Sequence, residues 1–119
     1  MTPEGKKPDI SPALCGYSKA LEILSDKWTA LAIHAMDGES IRYGVMKSRI
    51  SGISQKMLTQ TLRRLERDGL VRREVFATVP PSTEYSLTPL GESLLPVLKR
   101  MKEWADAHYS SVERAREAL

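Results

Sequence analysis

The sequence predicts a mainly helical α+β fold, with several helices and one small β-hairpin. Three observations carry that prediction. Apolar residues recur at helical spacing through most of the 119 residues. Two alternating stretches, Leu70–Phe76 and Thr83–Leu87, flank Val79-Pro80-Pro81-Ser82, as strands flank a turn. Cap and stop signals cut the remainder into helices of ordinary length. At 41% hydrophobic and 28% charged residues, the chain fits one domain able to bury a core without disulfides or metals.

Residues 1–10 hold two prolines, a glycine and two lysines with no apolar period, which predicts a loose N-terminal arm. Ser11-Pro12 supplies an N-cap and a first-turn proline. Leu14, Tyr17, Leu21 and Leu24 follow as an amphipathic stripe. Ser25-Asp26 caps a second helix, Lys27 to Met36, stopped by Gly38. Trp28, Leu31, Ala32 and Ala35 line one side, and Ile33 and Met36 make it apolar nearly all round, so it is expected to be central. Ser40–Arg42 suits a short strand. Tyr43–Ile50 suits a brief helix with Tyr43, Met46 and Ile50 inward. After the turn Ser51-Gly52-Ile53, Ser54 caps a helix that runs to Asp68 and is closed by Gly69. Thr88-Pro89 begins a last helix with Leu90, Leu94, Val97, Leu98, Met101, Trp104, Ala105 and His108 along it. Pro96 is expected to kink it. That stripe is long for a small domain, which points to a partner chain. The resulting organisation is an arm (1–10), a domain (11–109) and a helix extension or tail (110–119).

Helix, helix, short strand, helix, turn, helix, hairpin, helix is the order of a winged helix-turn-helix. Leu58, Leu62 and Leu65 must pack inward, which turns Lys56, Thr59, Gln60, Arg63 and Arg67 outward. Charge agrees with this placement. Residues 41–73 hold nine Lys/Arg against two Asp/Glu in a chain of net charge +3, and no acid occurs between positions 40 and 65. A cationic middle third is the footprint of a polyanion partner. Amides, hydroxyls and cations together suit a major-groove reader. Ser54, Gln55, Lys56, Thr59 and Gln60 are the expected base contacts, because a recognition helix enters the groove by its N-terminus. Arg42, Arg63, Arg67, Arg72 and Arg73 are the expected backbone contacts. The alternative is a winged-helix protein-interaction module without specific DNA binding.

A set of motifs resembles one family in particular. It comprises Cys15, Lys27-Trp28, Arg42-Tyr43, Gly52-Ile53-Ser54-Gln55-Lys56-Met57-Leu58-Thr59-Gln60, Leu62-Arg63, Leu65-Glu66, Asp68-Gly69-Leu70-Val71, Val79-Pro80-Pro81, Glu84-Tyr85-Ser86-Leu87-Thr88 and Leu90-Gly91. Together they are similar to the HxlR-type winged-helix regulators, a branch of the MarR-like bacterial transcription factors. The resemblance implies a homodimer on a two-fold operator, usually as a repressor and sometimes as an activator. It also implies dimerisation through the first and last helices, with Leu14, Tyr17, Leu98, Met101 and Trp104 at the interface. Two departures stand out. Ser25-Asp26 replaces the small residues that usually precede Lys27-Trp28, and Ser82-Thr83 replaces a basic residue after the two prolines.

Cys15, the lone cysteine, would sit in the first turn of its helix with Lys19 one turn on. Both features favour the thiolate. The resemblance implies that such a cysteine can sense an oxidant or electrophile, whereas a small buried hydrophobe at an interface is the plain alternative. No enzyme chemistry is expected. His34 and His108 lack partners at catalytic or metal-ligand spacing, and no Gly-rich phosphate loop occurs. Accordingly no catalytic residue, metal or cofactor is predicted. With neither an export signal nor an apolar run long enough to span a membrane, the expected location is the cytoplasm, on the nucleoid.

Overall fold

The computed structural model describes residues 16–119. Its elements run α1 (Gly16–Ile23), α2 (Lys27–Ala35), β1 (Ile41–Arg42), α3 (Tyr43–Arg49), α4 (Gln55–Arg67), β2 (Val71–Phe76), β3 (Ser82–Leu87) and α5 (Pro89–Glu117). The loose arm, the Ser11-Pro12 helix start, Leu14 and Cys15 lie outside the described residues.

α2 is the centre of the fold, packed on α3, α4 and α5. Its face toward the core is Thr29, Ala32, Ile33 and Met36, a spacing of three, four and seven that fits one helical side. The side marked by Trp28, Leu31 and Ala35 is less covered than expected, and Leu31 is 43% exposed. The buried face is thus turned one residue onward. Met46, Ile50 and Ile53 from the α3 region complete the core with Leu58, Leu62, Leu65, Leu70, Val71, Leu87, Leu95 and Leu98. Each such aliphatic side chain stabilises the fold by about 1.5–3 kcal/mol through transfer from water.

The sheet has three antiparallel strands in the order β1-β3-β2. Ile41 and Arg73 both pair with Tyr85, and Arg42 and Glu74 both pair with Glu84. Paired residues share a face. Ile41, Tyr85 and Arg73 therefore face the helices, while Arg42, Glu84 and Glu74 face away. Arg72 pairs with Ser86 and falls on that outer face. Arg72 and Arg73 point in opposite directions.

α4 and α5 are joined by a tight polar knot. The Leu70 amide donates to Leu65 O and the Gly69 amide to Glu66 O, a double closure that requires the left-handed backbone Gly69 adopts at φ +76°. The Thr88 hydroxyl donates to Gly69 O at 2.6 Å and accepts the Gly91 amide at 3.1 Å. Gly91 then passes so close to the loop that a β-carbon there would stand 2.1 Å from Leu70 O. Only glycine fits.

α5 is continuous through Pro96 and spans 29 residues, about 44 Å at 1.5 Å per residue. It runs past His108 to Glu117, so residues 110–117 continue the helix. Gly91, Leu95 and Leu98 are its buried residues. Leu98 therefore packs into the chain's own core, which corrects its expected place on an interface. Leu90, Val97, Met101 and Trp104 are each more than half exposed. α1 buries no residue at all.

Candidate nucleic-acid interface

The chemistry of α4 follows from its caps and its stripe. The Ser54 side chain accepts the Met57 amide at 3.0 Å, which fixes where the helix starts and hence which residues share a face. Leu58, Thr61, Leu62 and Leu65 are buried. On the opposite side Lys56, Gln60, Arg63 and Arg67 are exposed, at offsets of four, seven and eleven residues. They form one continuous ridge of three turns. Among the described residues, no carboxylate pairs with Lys56, Arg63 or Arg67. Ser54 and Gln55 are exposed at the leading end.

Thr59 differs from its neighbours. It is half-buried, and its hydroxyl lies 2.9 Å from the Tyr43 hydroxyl. That tyrosine, at the start of α3, also donates to Gln55 O at 3.1 Å. A phenol has one hydrogen, and a carbonyl can only accept. With that hydrogen given to Gln55, Thr59 must be the donor in the Tyr43–Thr59 pair. Tyr43 thus ties the two helices of the helix-turn-helix together at the point where α4 begins.

The remaining cations are less uniform than the sequence suggests. Arg64 pairs with Asp26 at 2.7 Å, and Arg49 pairs with Glu39. Arg73 sits 3.6 Å from Glu66 on the helix side of the sheet. There it borders a small polar cavity of ≈ 220 Å³ with Thr59, Arg63 and Tyr85. Burial pushes the Tyr85 hydroxyl above its ordinary 10.0, against the pull of Arg73, so it stays neutral. Arg72 and Arg42 are exposed. Arg42 lines a groove of ≈ 760 Å³ with Tyr43, Gly44 and Val45 on one wall and wing residues 78–83 on the other. Val79, at the wing tip, is fully exposed. The structure therefore gathers Lys56, Gln60, Arg63 and Arg67 on one face, with Ser54 and Gln55 exposed at its leading end and Thr59 at its edge. Arg72 and Arg42 stand on the sheet's outer face, apart from Arg73. Sequence reasoning passed over Tyr43 and Asp26 as polar anchors, because their partners lie on other elements.

This cationic helix, with no acid on its exposed ridge, follows a short turn and has a hairpin behind it, in agreement with what related sequences show. Residues 23–113 match the family model described as HxlR-like helix-turn-helix. The chain belongs to that family. The HxlR-like match covers α2 to most of α5, which is the whole helix-turn-helix and wing. Among curated relatives, the HTH-type transcriptional regulator YkvN of Bacillus subtilis (strain 168) is 42% identical over 101 residues, 85% of each chain. Among solved structures, a protein described as a MarR-family regulator from Porphyromonas gingivalis W83 superposes with a TM-score of 0.81 at 40% identity, covering 85% of this chain and 99% of that one. The reduced form of the redox regulator HypR superposes at 0.79 with 36% identity, covering 84% and 99%. As an HxlR-like protein the chain is a DNA-binding helix-turn-helix transcriptional regulator rather than an enzyme, and its fold is a winged helix-turn-helix. Among the described residues, no helix is long and apolar enough to cross a membrane. Nor does any group of three or more His, Cys, Asp or Glu converge there as metal ligands.

Proposed function

We propose that the chain acts as a homodimer on a two-fold operator, repressing transcription by occupying promoter DNA, with α4 in the major groove. The observation that carries this reading is the ridge Lys56–Gln60–Arg63–Arg67, exposed and free of carboxylate partners. Ser54, Gln55, Lys56, Thr59 and Gln60 meet base edges, and Arg42, Arg63, Arg67 and Arg72 meet phosphates. Arg73, facing α4 beside Glu66, reaches a phosphate only at the inner edge of the wing. Gln60 suits adenine and Lys56 suits guanine. Thr59 has given its hydrogen to Tyr43, so toward DNA its oxygen can only accept, from the amino group of adenine or cytosine. Its methyl remains free for thymine.

Support for the dimer comes from exposed apolar surface. Tyr17 and Leu21 on α1, and Val97, Met101 and Trp104 on α5, leave bulky apolar side chains uncovered, as at surfaces that meet a partner chain. Cys15 precedes α1 directly, and HypR is described as a redox regulator. Oxidation would join two Cys15 thiols across the dimer, each losing a proton and an electron to the oxidant. An electrophile would instead alkylate a single thiolate.

The test is selection of duplexes from a random library, followed by titration across salt. About eight phosphate contacts per dimer give a log–log slope near −7. Weak, sequence-indifferent retention of DNA would instead favour a protein-interaction module. The redox part fails if Cys15→Ser leaves the response of the selected complex to diamide and a quinone unchanged.

A further inference from the structure

Leu58, Leu62 and Leu65 hold α4 against the core, but apolar contact is non-directional and leaves a helix free to make small slides and rolls. A directed ion pair removes that freedom, and α4 has one reaching it from far away in sequence. Asp26 Oδ2 accepts Arg64 Nη2 at 2.7 Å across 38 residues. Its other oxygen, Oδ1, accepts the Thr29 amide at 3.0 Å and the Thr29 hydroxyl at 3.3 Å. Thr29 is itself buried, so the anchor is firm. Burial works to raise the Asp26 carboxyl above 3.8. The hydrogen bond from Arg64, the Thr29 amide and the guanidinium charge outweigh it and hold the group below that value. The carboxylate is charged and fully engaged. One oxygen caps α2 and the other holds the recognition helix.

Asp26 also ends the short link from α1, whose last residue Ile23, with Leu24 after it, is partly buried against the core.

We infer that Asp26 is a positioning residue for the DNA-reading helix, setting the angle of α4 through Arg64. This rests on the proposed placement of α4 in DNA. The plain alternative is a half-exposed salt bridge that contributes little. The two give opposite signs. Removing an acid from a DNA-binding surface strengthens attraction to a polyanion, whereas losing alignment weakens sequence-specific binding.

The experiment uses the full chain and a duplex that it selects itself from a random library. Affinity is measured across salt for the wild type, D26N, R64Q and the double variant, beside thermal melts of each. Asparagine caps helices as well as aspartate, so D26N keeps the Thr29 bonds and the fold. We expect D26N to bind the selected duplex about three- to tenfold more weakly, within the range for coupling through packed elements. Its salt slope should be unchanged, and the loss should vanish in the R64Q background. R64K should recover part of the affinity lost in R64Q. Equal or tighter binding by D26N overturns the inference, as do strictly additive losses. A slope reduced by about one in R64Q would make Arg64 a phosphate contact and also overturn it. A wild type that selects no duplex removes the DNA reading and this inference together. A wild type that selects one and is matched by D26N removes the inference alone.

Discussion

α4 and α5 are both amphipathic, yet they use their apolar stripes in opposite ways. α4 buries Leu58, Leu62 and Leu65 completely and presents Lys56, Gln60, Arg63 and Arg67 to solvent. α5 buries Leu95 and Leu98 but leaves Leu90, Val97, Met101 and Trp104 uncovered. The first helix finishes its folding work inside its own chain and offers a polar surface. The second holds apolar surface in reserve. A helix's periodicity therefore says that one face wants cover, and the rest of the chain decides whether cover is at hand.

Substitutions sharpen this contrast, beginning with the largest effect. Leu62→Ala empties a fully packed site, so chemical denaturation should show a loss of about 2–5 kcal/mol. Trp104→Ala should behave differently. Denaturation of dilute protein should change little, while sedimentation should show the proposed dimer dissociating at concentrations where the wild type stays paired. An equal loss of stability in dilute protein would mean that Trp104 is core, and the contrast would collapse. On the polar ridge, Gln60→Ala should leave the melt within about 0.5 kcal/mol. Discrimination at one base pair should relax by about 1–3 kcal/mol, read by binding to duplexes changed at each position.

The smallest effect concerns acid. The Asp26 carboxyl is held below its ordinary 3.8 when folded, so the unfolded chain takes up that proton first as pH falls. The stabilisation from the Arg64 pair is fully present above the ordinary value and is lost as pH falls through the folded value. Denaturant melts from about pH 6 downward should show that slope in the wild type and a shallower one in D26N. Parallel curves would mean that the pair does not contribute.

The contrast also marks what the sequence makes legible. Ser54 and Gly69 bracket α4 correctly, and the leucine spacing gives its inward face, because capping and periodicity act within a few residues. The wing strands follow from alternation and the two prolines for the same reason. Which side of α5 is inside was not legible. Leu95 is buried and Val97 is not, although both suit an apolar stripe, since the choice belongs to α2 lying across the helix. The sequence left residues 110–119 open between a helix extension and a tail; α5 continues through Glu117, and no glycine or proline follows His108 to stop it. Within the interface, the exposed ridge followed directly from the inward leucines. Asp26–Arg64 and Tyr43–Thr59 did not, as each joins residues on separate elements whose approach only the assembled fold sets. The opposite directions of Arg72 and Arg73 were implicit in the two-residue period of a strand, and only the paired register with Ser86 and Tyr85 makes the split visible.

The strand order carries a mechanical consequence. β3 lies between β1 and β2, so it is hydrogen-bonded along both edges, and the Ser40 hydroxyl adds a bond to Glu84 at its side. A protease nick at Val79 would cut the chain without opening the sheet. The downstream fragment still carries Leu87, Leu95 and Leu98 into the shared core. The two pieces would stay associated as a single particle, so the fully exposed wing tip is a loop whose severance the fold survives.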